Sequence, residues 1–291
     1  MKSFIALLLI SLSIITCGCI FSNDNNENTK KSFTFPLKVG NRWEYSGELK
    51  FFNFNPDTMA VAFGDTLHKS TIIQEIVRTE TLLDSIDTYV FHETHTYENY
   101  GVFETNAYYH EKETGLYRVA YDRGSKLSLK PAVKEKIYFK GRCFSSVSEI
   151  TAWIQDMLPR AKTVSDSLIY EYFTRQSLKY PLEEGSQWVY HNSNWRIDKR
   201  VEGKEKVIVP AGTFTCYKIR WLYDFDGDEE WDDDIGMTDY ICSKGLVRRY
   251  LLIEGIEQST DSYVNVSAAG SDSLYTFDCS EEYLLTDYSI H

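Results

Sequence analysis

From residue 33 onward the chain is dominated by short stretches in which apolar and polar residues alternate, the period-two pattern of half-buried β-strands. The clearest begins at Trp43-x-Tyr45, which puts both rings on one face because successive strand side chains point to opposite sides. Residues 36–45 read P-L-x-x-G-x-x-W-x-Y, and residues 181–190 read the same. A second anchor follows in each half, Gly115-Leu116-Tyr117-Arg118 and Gly245-Leu246-Val247-Arg248. The first anchors are offset by 145 residues (43 to 188) and the second by 130 (115 to 245), so the first copy carries about 15 extra residues, expected around Asn55 to Asp65.

Between the anchors both halves follow one plan. After the Trp-x-Tyr strand comes a strand near 72–80 or 196–209. A tight turn follows at 84–87 or at Pro210-Ala211-Gly212, where Pro fixes φ and Gly permits a positive one. Then come a strand near 88–97 or 213–223, a loop, a further strand, and the strand after Gly-Leu. One helix is expected over 146–158. Ser146-Val147-Ser148-Glu149 has capping-box spacing, Val147, Ile150, Ile154, Met157 and Leu158 form one apolar stripe, and Pro159 stops it. Residues 161–177 fit neither pattern cleanly. The reading is a mainly β protein of two related antiparallel meander units, a curved sheet or half-barrel, over 33–178 and 179–291, with one short linking helix.

The N-terminus has a different pattern. Met1-Lys2 is followed by an apolar run from Phe4 to Ile15, a basic start and short apolar core typical of a secretory signal. The run is shorter than the ~20 residues a membrane-spanning helix needs. Thr16-Cys17-Gly18-Cys19 then resembles the lipobox of bacterial lipoproteins, with Gly18 as the small residue before Cys19, although Thr16 stands where Leu is usual. Residues 1–19 read as signal and lipidation site. Residues 20–32 include Ser22-Asn23-Asp24-Asn25-Asn26-Glu27-Asn28, a polar stretch that can bury nothing and is expected to be a disordered tether. Ile20, a residue other than Asp after the lipidated cysteine, implies by the same resemblance outer-membrane sorting in the bacterial envelope.

Composition narrows the partners. Asp and Glu outnumber Lys and Arg by 43 to 31, a net charge of −12. An acidic surface repels phosphate backbones, which argues against nucleic acid. The 21 Tyr and 16 Phe, with only 6 Pro, agree with β-structure.

Together with Val207-Ile208-Val209-Pro210-Ala211-Gly212-Thr213-Phe214, Cys216 and Gly245-Leu246-Val247, the repeated P-L-x-x-G-x-x-W-x-Y phrase resembles those of poorly characterised bacterial surface and outer-membrane lipoproteins. The resemblance covers the second half well and the first half loosely. It implies a curved antiparallel sheet similar to the half-barrels of lipoprotein carriers, and no known reaction. Trp43 and Trp188 read as core residues.

Four groups of residues carry candidate chemistry. With Cys17 removed and Cys19 acylated, Cys143, Cys216, Cys242 and Cys279 remain, an even count that suggests two disulfides in an oxidising compartment, with free thiols as the alternative. If residues 213–223 and 237–243 pair about Glu229, facing positions sum to 458, as Cys216 and Cys242 do; Cys143 with Cys279 would follow by elimination. Asp224, Asp226 and Asp228 occupy the 1, 3 and 5 positions of a calcium loop within eight carboxylates in eleven residues. Glu229 and Ile235 break the EF-hand pattern, so the choice lies between a Ca2+-binding hairpin tip and a solvated Asp-Gly turn. His92-Glu93-Thr94-His95 has its histidines at i and i+3 in a strand, on opposite faces, and not at the i, i+4 helical spacing of a zinc protease; His110 could approach either. Finally, no G-x-S-x-G, Walker loop or dinucleotide fingerprint appears, and no cofactor is expected. The function expected is that of a non-enzymatic, membrane-anchored envelope module, binding or structural, whose partner is an envelope protein, a glycan or a hydrophobic ligand. The alternatives are a carrier with a lipid in a half-barrel cavity, and a hydrolase using scattered carboxylates.

Overall fold

The computed structural model describes residues 33–63, 66–98, 101–122, 136–154, 168–193, 195–259 and 274–291. The signal, Cys17, Cys19, the polar tether and the predicted helix end at Met157, Leu158 and Pro159 lie outside them. Residues from Ser32 to His291 form one compact unit.

The first half runs β1 (Arg42–Asn55), α1 (Met59–Phe63), β2 (Leu67–Leu82), β3 (Ile86–Tyr97), β4 (Gly101–Lys112), β5 (Gly115–Asp122), β6 (Ile137–Phe139), β7 (Arg142–Phe144), α2 (Val147–Ile154) and β8 (Leu168–Lys179). The second half runs β9 (Gln187–Asn192), β10 (Arg196–Val209), β11 (Gly212–Asp224), β12 (Ile235–Cys242), β13 (Gly245–Ser259) and β14 (Leu274–Ser289). The mainly β expectation holds, and every pairing between these strands is antiparallel.

All fourteen strands join one sheet, along the path β8-β5-β4-β3-β2-β1-β14-β13-β12-β11-β10-β9, with β6 attached to β13 and β7 to β6. The path is the internal repeat made visible. Strands β1, β2, β3, β4, β5 and β8 form one six-stranded meander, and β9 to β14 form the other. Each ends on a strand that the alternation did not assign, β8 and β14. The two meanders join through β1 and β14, in register from Arg42 opposite Ser289. The extra residues of the first copy extend β1 to Asn55, where β9 stops at Asn192, and add α1.

The sheet is open: among the described residues no main-chain ladder joins its edge strands β8 and β9. Side chains tie them instead. Trp188 Nε1 of β9 donates to Gln176 O at 2.8 Å, and Lys199 Nζ, from the adjoining β10, to Ser177 O at 3.1 Å.

Two apolar clusters close the ends of the curled sheet. At one end α2 lays Val147, Ile150, Trp153 and Ile154 against Leu251, Ile253, Phe277 and Trp195. The capping box forms in part. Ser146 Oγ accepts the Glu149 N–H at 3.2 Å, but the Glu149 carboxylate reaches back one residue further than expected, to the Ser145 N–H at 2.7 Å. At the other end the segment before β1 packs Phe35 and Leu37 against Trp43, Tyr45, Leu116 and Leu178. Tyr180 OH accepts the Phe35 N–H at 3.0 Å and fixes this strap.

Candidate functional site

Between the two end clusters lies a cavity of about 190 Å3. Every strand of the twelve-strand path contributes at least one residue to its wall. The register sets chemically paired residues side by side. Lys199 faces Trp221 across β10 and β11; Asp239 faces Arg249 across β12 and β13; Arg249 faces Tyr283 on β14; Glu93 faces Gln74 on β2.

The cations of this wall are not equivalent. Arg249 binds Asp239 through both carboxylate oxygens, Nε to Oδ1 at 2.6 Å and a terminal nitrogen to Oδ2 at 3.1 Å, and Trp221 Nε1 adds a bond to Oδ2 at 2.9 Å. Burial alone would push the Asp239 carboxyl up, but Arg249, Lys199 and the indole N–H outweigh it and hold the group below the usual carboxylate range. Arg118 pairs with the buried Glu171 at 2.6 Å and lies over the Tyr190 ring. Lys199 is 3% exposed and makes no ion pair among the described residues. Its ammonium sits 3.5 Å from the Trp221 ring centroid and 4.4 Å from that of Tyr190, with Ser177 O as its hydrogen-bond acceptor. Burial pushes it well below the usual lysine range; Asp239 opposes that, while Arg249 and Arg118 add to it.

Two other buried carboxylates, Glu93 on the wall and Glu281 beside it, are raised instead. Burial raises Glu93, against the pull of Arg249 and a 3.4 Å bond from Gln74. Glu281, next to the cavity-lining Tyr283, is pushed up by burial to about 7, against the 3.0 Å bond from Tyr283 OH.

The alternation contained a signal for these groups that the motif search missed. Each charged residue occupies a core-facing position between two buried apolar ones: Lys199 between Ile197 and Val201, Asp239 between Met237 and Ile241, Arg249 between Val247 and Leu251. Glu93 stands likewise between Phe91 and the buried His95. A charged side chain at a core position of a strand is costly to bury without a partner, which makes it the informative exception.

The sites taken from the sequence are scattered. The cysteine expectation is corrected: Cys143, Cys216, Cys242 and Cys279 are all free thiols. The register itself is the one the spacing gives, with Tyr217 opposite Ile241 and Ile219 opposite Asp239, and Cys216 and Cys242 lie in one buried cluster. Cys143 cannot reach Cys279. Cys143 pairs with Tyr138 of β6, β6 pairs with β13, and β13 lies between β6 and the β14 strand that carries Cys279. Three strand spacings of ~4.8 Å separate them laterally, well beyond the ~7 Å Cα limit of a disulfide.

Asp224, Asp226 and Asp228 do come together, with oxygens within 4.8 Å of one another. Asp224, which is buried, accepts the Gly227 N–H at 2.7 Å, and the exposed Asp228 accepts the Glu230 N–H at 2.8 Å. The histidines separate. His92 Nδ1 meets Asn106 Oδ1 at 3.0 Å, His95 Nε2 meets Ser70 Oγ at 2.9 Å, and His110 Nδ1 meets Asp87 O at 2.7 Å. No helix among the described residues is long and apolar enough to cross a membrane.

No protein-family model matches the chain, and no curated protein matches it. Two solved structures are distantly similar. One is an inferred lipoprotein from Parabacteroides distasonis ATCC 8503, 16% identical, covering 89% of this chain and 99% of its own at a TM-score of 0.30. The other is an inferred exported protein with a YmcC-like fold from Bacteroides fragilis NCTC 9343, 14% identical, with the same coverage of 89% and 99% and a TM-score of 0.31. At these scores no residue role is carried across.

Proposed function

We propose that the protein is a lipid-anchored bacterial envelope protein, attached at Cys19, whose β module is non-enzymatic and binds a small polar ligand in its interior cavity. The anchor rests on the basic start, the apolar run and the Gly18-Cys19 junction, followed by a polar stretch before the first described residue. Ile20 favours the outer membrane by the same resemblance.

The observation that carries the binding reading is the cavity wall. A core built only for stability would fill this space with apolar side chains, because burying an ion costs several kcal/mol. Here three cations and two carboxylates line it, contributed by strands of both repeats. Charged groups interrupt the lining that a lipid tail would need, so a compact polar ligand fits the wall better than an acyl chain. Asp239 accepts three hydrogen bonds from Arg249 and Trp221 and is held below the usual carboxylate range, which makes it a weak base.

Two measurements test this. Intact-mass spectrometry of protein from the host's own membranes should show a diacylated or triacylated N-terminus at Cys19. An unmodified chain would remove the anchor. Fractions of a host small-molecule extract, added to the purified protein, should include one that raises the melting temperature saturably. A flat response across all fractions would remove the binding reading.

A further inference from the structure

The cavity has a polarity of its own. Arg118 and Arg249 each have a carboxylate partner, Glu171 and Asp239. Lys199 stands between them electrostatically, repelled by both and attracted only by an Asp239 that Arg249 already occupies. Its single acceptor among the described residues is a strand carbonyl, Ser177 O at 3.1 Å, although an ammonium can donate three bonds. The neighbouring wall is aromatic: Tyr190 and Trp221 beneath the ammonium, and Tyr109 opposite Arg118 across β4 and β5. The wall therefore has one buried, under-bonded lysine nitrogen between two carboxylate-paired arginines, with the Phe91 and Tyr109 rings lining the same cavity. The space is adequate for a ring, since a dry cavity of roughly 150 Å3 can hold benzene, and this one is about 190 Å3.

We propose, resting on the binding reading above, that the ligand is a small organic carboxylate with a compact, ring-sized apolar body. Its carboxylate sits against the Lys199 side-chain nitrogen on the Arg118 and Arg249 side, and its body lies against the Phe91 and Tyr109 rings. The carboxylate supplies the acceptors that Lys199 lacks. It also brings a negative charge beside Lys199, Arg118 and Arg249, which a neutral ring would not. Burial makes this pairing stronger than the same contact in water.

The test is isothermal titration calorimetry on the full chain purified in detergent, with sodium benzoate as the probe and benzyl alcohol, benzylamine and inorganic phosphate as controls. Benzoate should bind saturably and at least tenfold more tightly than benzyl alcohol, with no saturable heat from benzylamine. Lys199→Met should lose at least tenfold in benzoate affinity while melting no lower than the wild type. Lys199→Gln serves if the methionine variant does not fold, and the contrast between benzoate and benzyl alcohol in the wild type decides alone if neither folds. Equal affinity for benzyl alcohol, or undiminished benzoate binding by a folded Lys199 variant, would overturn the proposal. Binding of phosphate without benzoate would overturn it in favour of an inorganic-anion site. If benzoate fails while a host fraction still raises the melting temperature, the ligand class falls and the cavity reading stands; if both fail, both fall.

Discussion

The indole N–H of Trp43 donates to the carbonyl of Lys244 at 2.6 Å, tying the first strand of one repeat to the turn before the Gly-Leu strand of the other. Trp188, its counterpart, also reaches across the repeats, to Gln176 O at 2.8 Å. The repeated tryptophans are thus the two clasps of the sheet, one where β1 meets β14 and one at the open edge between β8 and β9. Trp43→Phe keeps an aromatic body but leaves the Lys244 carbonyl short of a donor, so it should cost about 1–3 kcal/mol in urea unfolding. Gly245→Ala should also destabilise: Gly245 has φ +102°, and a Cβ there would lie 2.6 Å from Trp43 Nε1. Phe has no atom in the Nε1 position, so the double variant should lose less than the sum of the two, by at least ~0.5 kcal/mol. Strict additivity would mean that the clasp does not couple the two residues.

Lys199 and Asp239 should respond to neutralisation with opposite signs. Lys199 is a buried amine with one carbonyl acceptor and no ion pair among the described residues, so an apolar chain of similar volume removes a desolvation cost and should be neutral or stabilising. Asp239→Asn strips the bidentate partner from Arg249 and the nearest anion from Lys199, and should cost about 3–5 kcal/mol. Urea midpoints measure both. A Lys199→Met variant destabilised as much as Asp239→Asn would mean that the lysine supports the fold and is not held there for a ligand.

Much of the fold was legible because strands repeat every two residues and turns have chemical requirements. The W-x-Y and Gly-Leu anchors placed β1, β5, β9 and β13, and the hairpin spacing gave the β11–β12 register. What the alternation left unassigned were the sixth strands. Over 168–177 the polarity is mixed because β8 lies at an edge of the sheet, with Thr174 exposed and Arg175 buried against Glu171. The site was missed for a related reason. A lysine or arginine inside a strand reads as a solvent-facing residue unless its parity is checked against Ile197 and Val201, or Val247 and Leu251. The cysteines misled because elimination pairs residues by count, whereas the topology sets Cys143 and Cys279 on opposite sides of β13.

His95 gives the fold an acid limit. Burial pushes its imidazole down to about 4, so the folded protein keeps it neutral while the unfolded chain takes up a proton near 6.5. Its contribution is complete above pH 6.5 and is lost as the pH falls toward 4, by about 3 kcal/mol in all. His95→Gln keeps a polar partner for Ser70 without titrating in this range. Melting temperatures of wild type and variant should converge between pH 6.5 and 4, the wild type losing more. Parallel curves would show that His95 does not set this limb.

Thiol reactivity checks the cysteine assignment. Cys143 is exposed on β7, whereas Cys216, Cys242 and Cys279 lie in the interior clusters. In the pair on β11 and β12, the Lys244 amide donates to Cys242 Sγ at 3.4 Å and pulls that thiol down, with Cys216 beside it. A thiolate at Cys242 is nonetheless shielded, and access as well as ionisation controls alkylation. Iodoacetamide under native, reducing conditions should therefore label Cys143 first by peptide mapping, with Cys216, Cys242 and Cys279 reacting only after unfolding. Labelling of Cys279 as fast as Cys143 would place β14 at the surface and contradict the burial of its cluster, and a peptide bridging Cys143 to Cys279 under non-reducing conditions would contradict the order of β14, β13, β6 and β7.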